Sequence, residues 1–406
     1  MGRFVVVVLD GFGIGEMPDV GMVRPEDAGS NTCRHILQQK PDLYLPHLEK
    51  LGLMNALGEE IGKMRFSPKA NYGRAELLHF GADTFYGHQE IMGTRPRMPE
   101  KAPFKRVLPL AEEALKKAGY EVERLRKGSD EILFVDQAVT VGDNIETDPG
   151  QAYNVTSALD VVDFKKVVAI GKIVRSVSRV SRVITFGGEG VTSEDLLQAI
   201  EVREEGYMGV NAPRSGVYRQ GYQCVHLGYG IDPEVQAPTI LGKAGTKVVL
   251  IGKVQDIVFN DYGKSIPGVD TKEVLTRTIE ELDQLDEGFI CTNVQETDLS
   301  GHAESVDRYA EILTIADRYL GELMEHLHGD DLLVVMADHG NDPTSGSSRH
   351  SRERVPLLVY QEGVEGQVMG TRKSLSDVGA TVLDYFQASA PENGESFLDF
   401  YRKPKK

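Results

Sequence analysis

The 406-residue sequence has no apolar run approaching the roughly 20 residues needed to cross a bilayer, and only three cysteines, Cys33, Cys224 and Cys291. The cysteines are odd in number, far apart and without a CxxC pair, which speaks against a disulfide framework and a cysteine metal site; they read as packing residues. Positive charge is in deficit, with a formal net charge of -17. A general nucleic-acid binder draws its affinity mainly from neutralising phosphates, so this balance argues against that class. A small phosphorylated substrate stays open, because a few cations at one site, metal ions included, outweigh the overall field locally. The opening MGRFVVVVLDGFG leads from a short apolar run straight to an acidic residue and glycines, so it reads as a first strand and not a secretory leader. Repeats and low-complexity segments are absent too. These features point to a cytosolic protein that engages neither membrane nor nucleic acid.

What is present is globular: 40% apolar and 26% charged residues, in a chain long enough for two domains. The most informative stretch is VVMADHGNDPTSGSSRHSRERVPLLVY, from Val334 to Tyr360. Leu332 to Ala337 has the continuous apolar character of a strand buried on both faces, and the chain then turns polar at Asp338. Asp338 and His339 are neighbours, so they share a metal only if the backbone leaves strand geometry, which Gly340, Asn341, Asp342 and Pro343 permit. His350 can return to the same place across a Gly/Ser loop. The plainer alternative is an ordinary strand and turn with surface histidines. A carboxylate and two imidazoles grouped at the carboxyl end of a buried strand argue instead for metal ligation, at the usual ligand position of an open α/β sheet.

The pattern recurs. Phe4 to Leu9 is a Val-rich run ending at Asp10 and then Gly11, Gly13 and Gly15; the spacing lacks the third glycine of a dinucleotide fingerprint, so Asp10 is read as a metal ligand. Gly288 to Val294 reads as a strand leading into QETDLSGH, where Asp298 and His302, four apart, converge on one helix face or in a loop. Helices are expected over Leu45–Leu57, Thr271–Leu285, Ser305–Leu327 and Ser374–Phe386, with the apolar stripe of the third as core. Pro96, Pro99 and Pro103 suggest a linker. Beyond it lies a separate α/β unit: helices over 110–118 and 164–177, strand-like EILFVD and RVITFG, and a Gly/Pro-rich exit. The expected division is therefore a core of residues 1–96 and 230–406, with 97–229 inserted.

Asp10, Asp298, His302, Asp338, His339 and His350 together suit two divalent ions. Two metals roughly 3.5 to 4 Å apart clamp an in-line displacement at phosphorus, and a hydroxyl between them becomes a competent nucleophile. Thr84, in FGADTFYGHQEIMG, is the candidate, although a threonine alone is a poor nucleophile. Mixed Asp and His ligation favours manganese or zinc over magnesium.

DHGNDPT with HSRERVPLLVY, GADTFYGHQEIMG, VLDGFGIGEMPD, DAGSNTCRHI and LIGKVQDI together resemble the phosphopentomutase family of the alkaline-phosphatase superfamily, in the family's order. The resemblance implies a doubly wound, mostly parallel α/β sheet carrying the metals and an inserted α/β cap that holds a sugar phosphate. It implies a phosphothreonine at Thr84 that donates its phosphoryl group to a sugar monophosphate and takes one back from the bisphosphate. It assigns Asp10, Asp338 and His339 to one metal, and Asp298, His302 and His350 to the other. Lys253 would meet phosphate, and Asp143 and Arg214 of the cap would meet the substrate. The family's counterpart of QETDLSGH is one residue longer, so Glu296 competes with Asp298; the DxxxH spacing of the superfamily selects Asp298. Phe186 stands where an arginine for the distal phosphate is expected, and Asp148, Pro149 and Gly150 near Asp143 also depart from the usual cap, so the sugar is expected to differ from a simple ribose phosphate; the alternative is that Arg175, Arg179 or Arg182 restores the charge from a neighbouring position. The alternatives are a hydrolase on the same core, passing the phosphoryl group to water, and a metal-binding protein without catalysis, which has no need of a threonine beside the ligands.

Overall fold

A computed structural model describes residues 2–146, 149–203 and 206–401, so Asp148 lies outside the described residues. The chain divides into two compact units, Met1–Pro96 with Asp232–Lys406, and Arg97–Ile231.

The first unit is built on an eight-stranded sheet. Its strand order is Lys264–Ile266, Val248–Ile251, Gly288–Val294, Arg3–Leu9, Leu332–Met336, Val355–Tyr360, Asn71–Ala75 and Val368–Arg372. Val355–Tyr360 pairs antiparallel with both of its neighbours, and every other pairing is parallel. The Val-rich Arg3–Leu9 strand lies inside the sheet and is buried along its whole length. β-Branched side chains fit that pleated, two-sided burial, and each is worth roughly 1.5–3 kcal/mol when removed from water.

Helices complete the layers. Val306–Glu325 buries Tyr309, Ile312, Leu313, Ala316, Leu320 and Leu323, and starts where the Ser305 side chain accepts the Arg308 amide. The expected single helix over Leu45–Leu57 is two, Pro46–Leu51 and Leu53–Leu57. Gly52 separates them at φ +97°, and a Cβ there would come within 2.5 Å of the Ala70 methyl.

The second unit has its own core and a six-stranded sheet ordered Gln223–Gly228, Arg182–Gly188, Ala152–Ala158, Val139–Asp143, Asp130–Val135 and Val122–Lys127. Only Ala152–Ala158 and Arg182–Gly188 run parallel, joined by the crossover helix Phe164–Val177. Among the described residues no helix is long and apolar enough to cross a membrane.

Candidate metal centre and nucleophile

Three adjacent parallel strands, Gly288–Val294, Arg3–Leu9 and Leu332–Met336, end at one edge of the main sheet. Asp10 directly follows the Arg3–Leu9 strand, Asp338 and His339 come just after the Leu332–Met336 strand, and Asp298 and His302 sit on the helix Glu296–His302 after the Gly288–Val294 strand. Val355–Tyr360 runs the other way, so its beginning lies at that same edge and brings His350 back to it. Thr84 opens the helix Thr84–Ile91, whose N-terminus is capped by Asp83 accepting the Tyr86 amide. That helix packs so closely on the sheet edge that a Cβ at Gly87 would lie 2.9 Å from the Asp338 carbonyl.

The six sequence-derived ligands meet there. Asp10, Asp338 and His339 offer ligand atoms within 4.8 Å of one another, and so do Asp298, His339 and His350. His302 joins the second group, its Nε2 lying 3.2 Å from Asp298 Oδ2 and 3.1 Å from His350 Nε2. His339 therefore reaches both groups, whereas the resemblance assigns it to one.

The ring nitrogens have defined roles. Nδ1 of His302, His339 and His350 lies 2.6, 2.9 and 2.8 Å from the carbonyls of Ser348, Gly340 and Ala82. A carbonyl only accepts, so each Nδ1 donates, and each Nε2 turns its lone pair inward as a metal ligand must. His339 Nε2 is fully buried and has no hydrogen-bond partner among the described residues. Carboxylates, inward lone pairs and an orphaned buried nitrogen together fit divalent cations.

The electrostatics agree. Burial opposes ionisation of Asp338, but His339, His88 and Lys253 outweigh it and hold the carboxyl well below its ordinary range. Asp298 is likewise held low against its burial, by the imidazoles of His302, His350 and His339 gathered around it. His339 is pushed up to about 10, because Asp338, Asp10 and Asp298 overcome the burial that disfavours its charged form. The same carboxylates would favour a divalent cation in place of that proton. Lys253 is raised by Asp10, Asp298 and Asp338 against its own burial. Its Nζ lies 3.1 Å from Asp10 Oδ2 and 3.4 Å from Asp298 Oδ2. The Thr84 hydroxyl donates to Asp338 Oδ2 over 2.7 Å and lies 3.4 Å from Asp10 Oδ1.

Three supporting residues escape sequence reasoning. Asn341 Nδ2 donates to Asp298 Oδ1 over 2.8 Å, and Asn293 Nδ2 to Asp10 Oδ2 over 3.1 Å. His88 lies one turn after Thr84, its Nδ1 2.9 Å from the Thr84 carbonyl and its Nε2 2.9 Å from Asn293 Nδ2. Asn341 and His88 sit inside the motifs that name ligands and nucleophile, which is the signal that could have found them. Asn293 is hidden in a strand.

The remaining candidates belong to the second unit. Asp143 is 2% exposed, and its two oxygens accept the amides of Phe104 and Met208 at 2.7 and 3.0 Å. Burial pushes it up to about 6 despite those amides. Arg214 is exposed and pairs with Glu201 at 3.3 Å. Phe186 is buried and stacks on Tyr218 with ring centroids 6.0 Å apart.

Residues 2–390 match the family described as the Metalloenzyme superfamily. The chain is 31% identical over 415 residues to the phosphopentomutase of Symbiobacterium thermophilum, covering 99% of each. It is 33% identical over 411 residues to the phosphopentomutase of Acetivibrio thermocellus, covering 98% of this chain and 99% of that protein. Among solved structures it aligns with Leishmania mexicana phosphoglycerate mutase over 97% of each chain, at 12% identity and a TM-score of 0.44. With its whole length matched and its ligand sets gathered at one sheet edge, the chain belongs to the metalloenzyme superfamily and, within it, to the phosphopentomutase family.

Proposed function

We propose that this protein moves a phosphoryl group between two positions of a sugar phosphate, with Thr84 as the carrier. The observation that carries the reading is the Thr84 hydroxyl, 2.7 Å from Asp338 Oδ2 and 3.4 Å from Asp10 Oδ1, beside the ligand group of Asp10, Asp338 and His339. Asp10, Asp338 and His339 would hold one divalent ion, and Asp298, His302 and His350 the other, with manganese the best match to the mixed donor set. Bound there, the ions supply Lewis acidity and charge neutralisation.

In the forward half-reaction a hydroxyl of the sugar monophosphate attacks phosphothreonine. The bond from phosphorus to Thr84 Oγ1 breaks, a new phosphorus–oxygen bond forms, and the sugar leaves that step as a bisphosphate. In the second half Thr84 Oγ1 attacks the other phosphoryl group, and the isomeric monophosphate departs. Lys253 lies 3.1 Å from Asp10, a carboxylate that also borders Thr84, and would meet the transferring phosphoryl oxygens. Asp143 and Arg214 are the proposed sugar-side contacts. A carboxylate has about four lone-pair sites, so Asp143, with both oxygens already accepting an amide, keeps acceptor capacity.

The sugar is proposed to be phosphopentose-like but not a ribose phosphate gripped in the usual way, because Phe186 offers no charge. Of the neighbouring arginines that could restore the charge, Arg175 donates to the carbonyls of Ser178 and Val180, and Arg179 pairs with Glu100. The test is Thr84→Ala. It should retain fold and bound metal while turnover falls by about 10³-fold or more, as when a covalent nucleophile is removed. Normal turnover would exclude the role.

A further inference from the structure

Thr84 is preceded by residues 77–82, a segment with no helix or strand of its own. Its backbone groups are nonetheless bonded from two sides. Glu90, on the helix that Thr84 opens, accepts the amides of Leu78 and His79 at 3.1 and 3.0 Å. From the other side Arg352 donates to the carbonyls of Leu77, His79 and Gly81 at 3.1, 2.8 and 2.6 Å. Its remaining N–H groups go to the Asp19 carboxylate, each at 2.8 Å. All five guanidinium donors thus have partners, and the residue is 3% exposed.

The next carbonyl in the segment belongs to the metal centre. Ala82 O accepts His350 Nδ1 at 2.8 Å, so the imidazole whose Nε2 faces the ligand group also grips the backbone two residues before Thr84. His350 and Arg352 are two residues apart and are themselves held: His350 O accepts Arg24 Nη2 at 2.9 Å, and the Arg352 amide donates to Asp27 at 2.8 Å.

We propose that Arg352 is a positioning residue for the reaction. Through the carbonyls of Leu77, His79 and Gly81 it fixes the approach to Thr84, and the span from His350 to Arg352 ties the nucleophile's position to one ligand group. The proposal rests on the reading of Thr84 as phosphoryl carrier. Arg352 touches neither Thr84 nor a metal ligand's donor atom in these contacts, so its effect is geometric. Lysine cannot stand in: its three donors radiate from one point, whereas the guanidinium spans three carbonyls and a carboxylate.

The test compares Arg352→Lys with Asp19→Asn, which leaves the three carbonyl bonds in place. In metal-loaded Arg352→Lys, kcat should fall by about 10²-fold with KM changed by less than about threefold, the size expected for a nucleophile misplaced by about 1 Å. Metal content should be kept, and amide exchange in residues 78–83 of the metal-free protein should rise by about tenfold or more. Asp19→Asn should cost less than about fivefold in kcat, because it acts only on the far side of the guanidinium. Unchanged kcat or exchange in Arg352→Lys overturns the proposal, as does an equal loss in Asp19→Asn. Should Arg352→Lys not fold, native-state exchange of the unmodified protein decides: the amides of Leu78 and His79 must open together with those of Ser351 and Arg352, and independent opening overturns the clamp. A protein that turns over without ever carrying phosphate on Thr84 removes the carrier reading instead, and the exchange result stands apart from it.

Discussion

Thr84 and Asp338 are 254 residues apart in the chain, and their side chains meet at 2.7 Å. The contact joins a helix N-terminus to the end of the Leu332–Met336 strand, and it places a hydroxyl beside a carboxylate held ionised by His339, His88 and Lys253 despite its burial. A hydroxyl so placed is ready to be drawn toward whatever cation those carboxylates hold.

Asn341 should matter to one ligand group more than to the other. Its Nδ2 reaches Asp298 Oδ1 at 2.8 Å and the Asp298 carbonyl at 3.1 Å. Asn341→Ala should weaken binding of one divalent ion by about 10–100-fold and leave the second nearly unchanged, as when an outer hydrogen bond to a ligand is removed. Competition titration against a chelator measures both steps. Equal weakening of both, or of neither, contradicts the assignment.

Much of the main sheet is legible in the sequence because its strands are buried on both faces. Phe4 to Leu9 and Leu332–Met336 read as short unbroken apolar runs with turn or ligand residues after them. The second unit is harder. Ala152–Ala158 is buried throughout yet spelled AYNVTSA, and two of its polar side chains find partners inside the fold: Asn154 Oδ1 accepts from Asn144, and Ser157 Oγ donates to the Phe186 carbonyl. Val122–Lys127 reads as charged because it is an edge strand with most of its residues outward. In the candidate site, strand ends announce Asp10 and Asp338. The work of Asn293 on Asp10 and of Arg352 on residues 77–81 depends on contacts between distant stretches, which no local pattern records.

Asp143 supplies a pH test for the second unit. Its folded carboxyl is pushed up to about 6 by burial, above the ordinary value of about 3.9. The native state therefore holds the proton more tightly than the unfolded chain. Its contribution is most favourable below about pH 4 and is lost as pH rises through about 6, a change on the order of 3 kcal/mol. Urea unfolding read by pulsed hydrogen exchange in Val139–Asp143, at pH 4.5 and 7, should show this slope in the native sequence and a flatter one in Asp143→Asn. Identical slopes would contradict the burial argument.

Phe186 predicts poor use of ribose 1-phosphate. A charge-assisted hydrogen bond of the kind an arginine would make is worth about 1.5–3 kcal/mol, or roughly ten- to hundredfold in binding. The buried Phe186 ring, stacked on Tyr218, provides none. Steady-state kinetics should give kcat/KM well below about 10⁵ M⁻¹s⁻¹. A value at or above that level means that the second unit still reads the simple pentose phosphate.

The central claim, that Thr84 carries the phosphoryl group, is tested most directly by mass spectrometry of the intact metal-loaded protein before and after mixing with a panel of sugar mono- and bisphosphates. The account predicts one added phosphoryl group, mapped to Thr84 and absent from Thr84→Ala, that is discharged to a cognate sugar monophosphate with appearance of its bisphosphate. Turnover of the sugar phosphate with no phosphoryl group ever found on Thr84, or discharge to water alone, would contradict it.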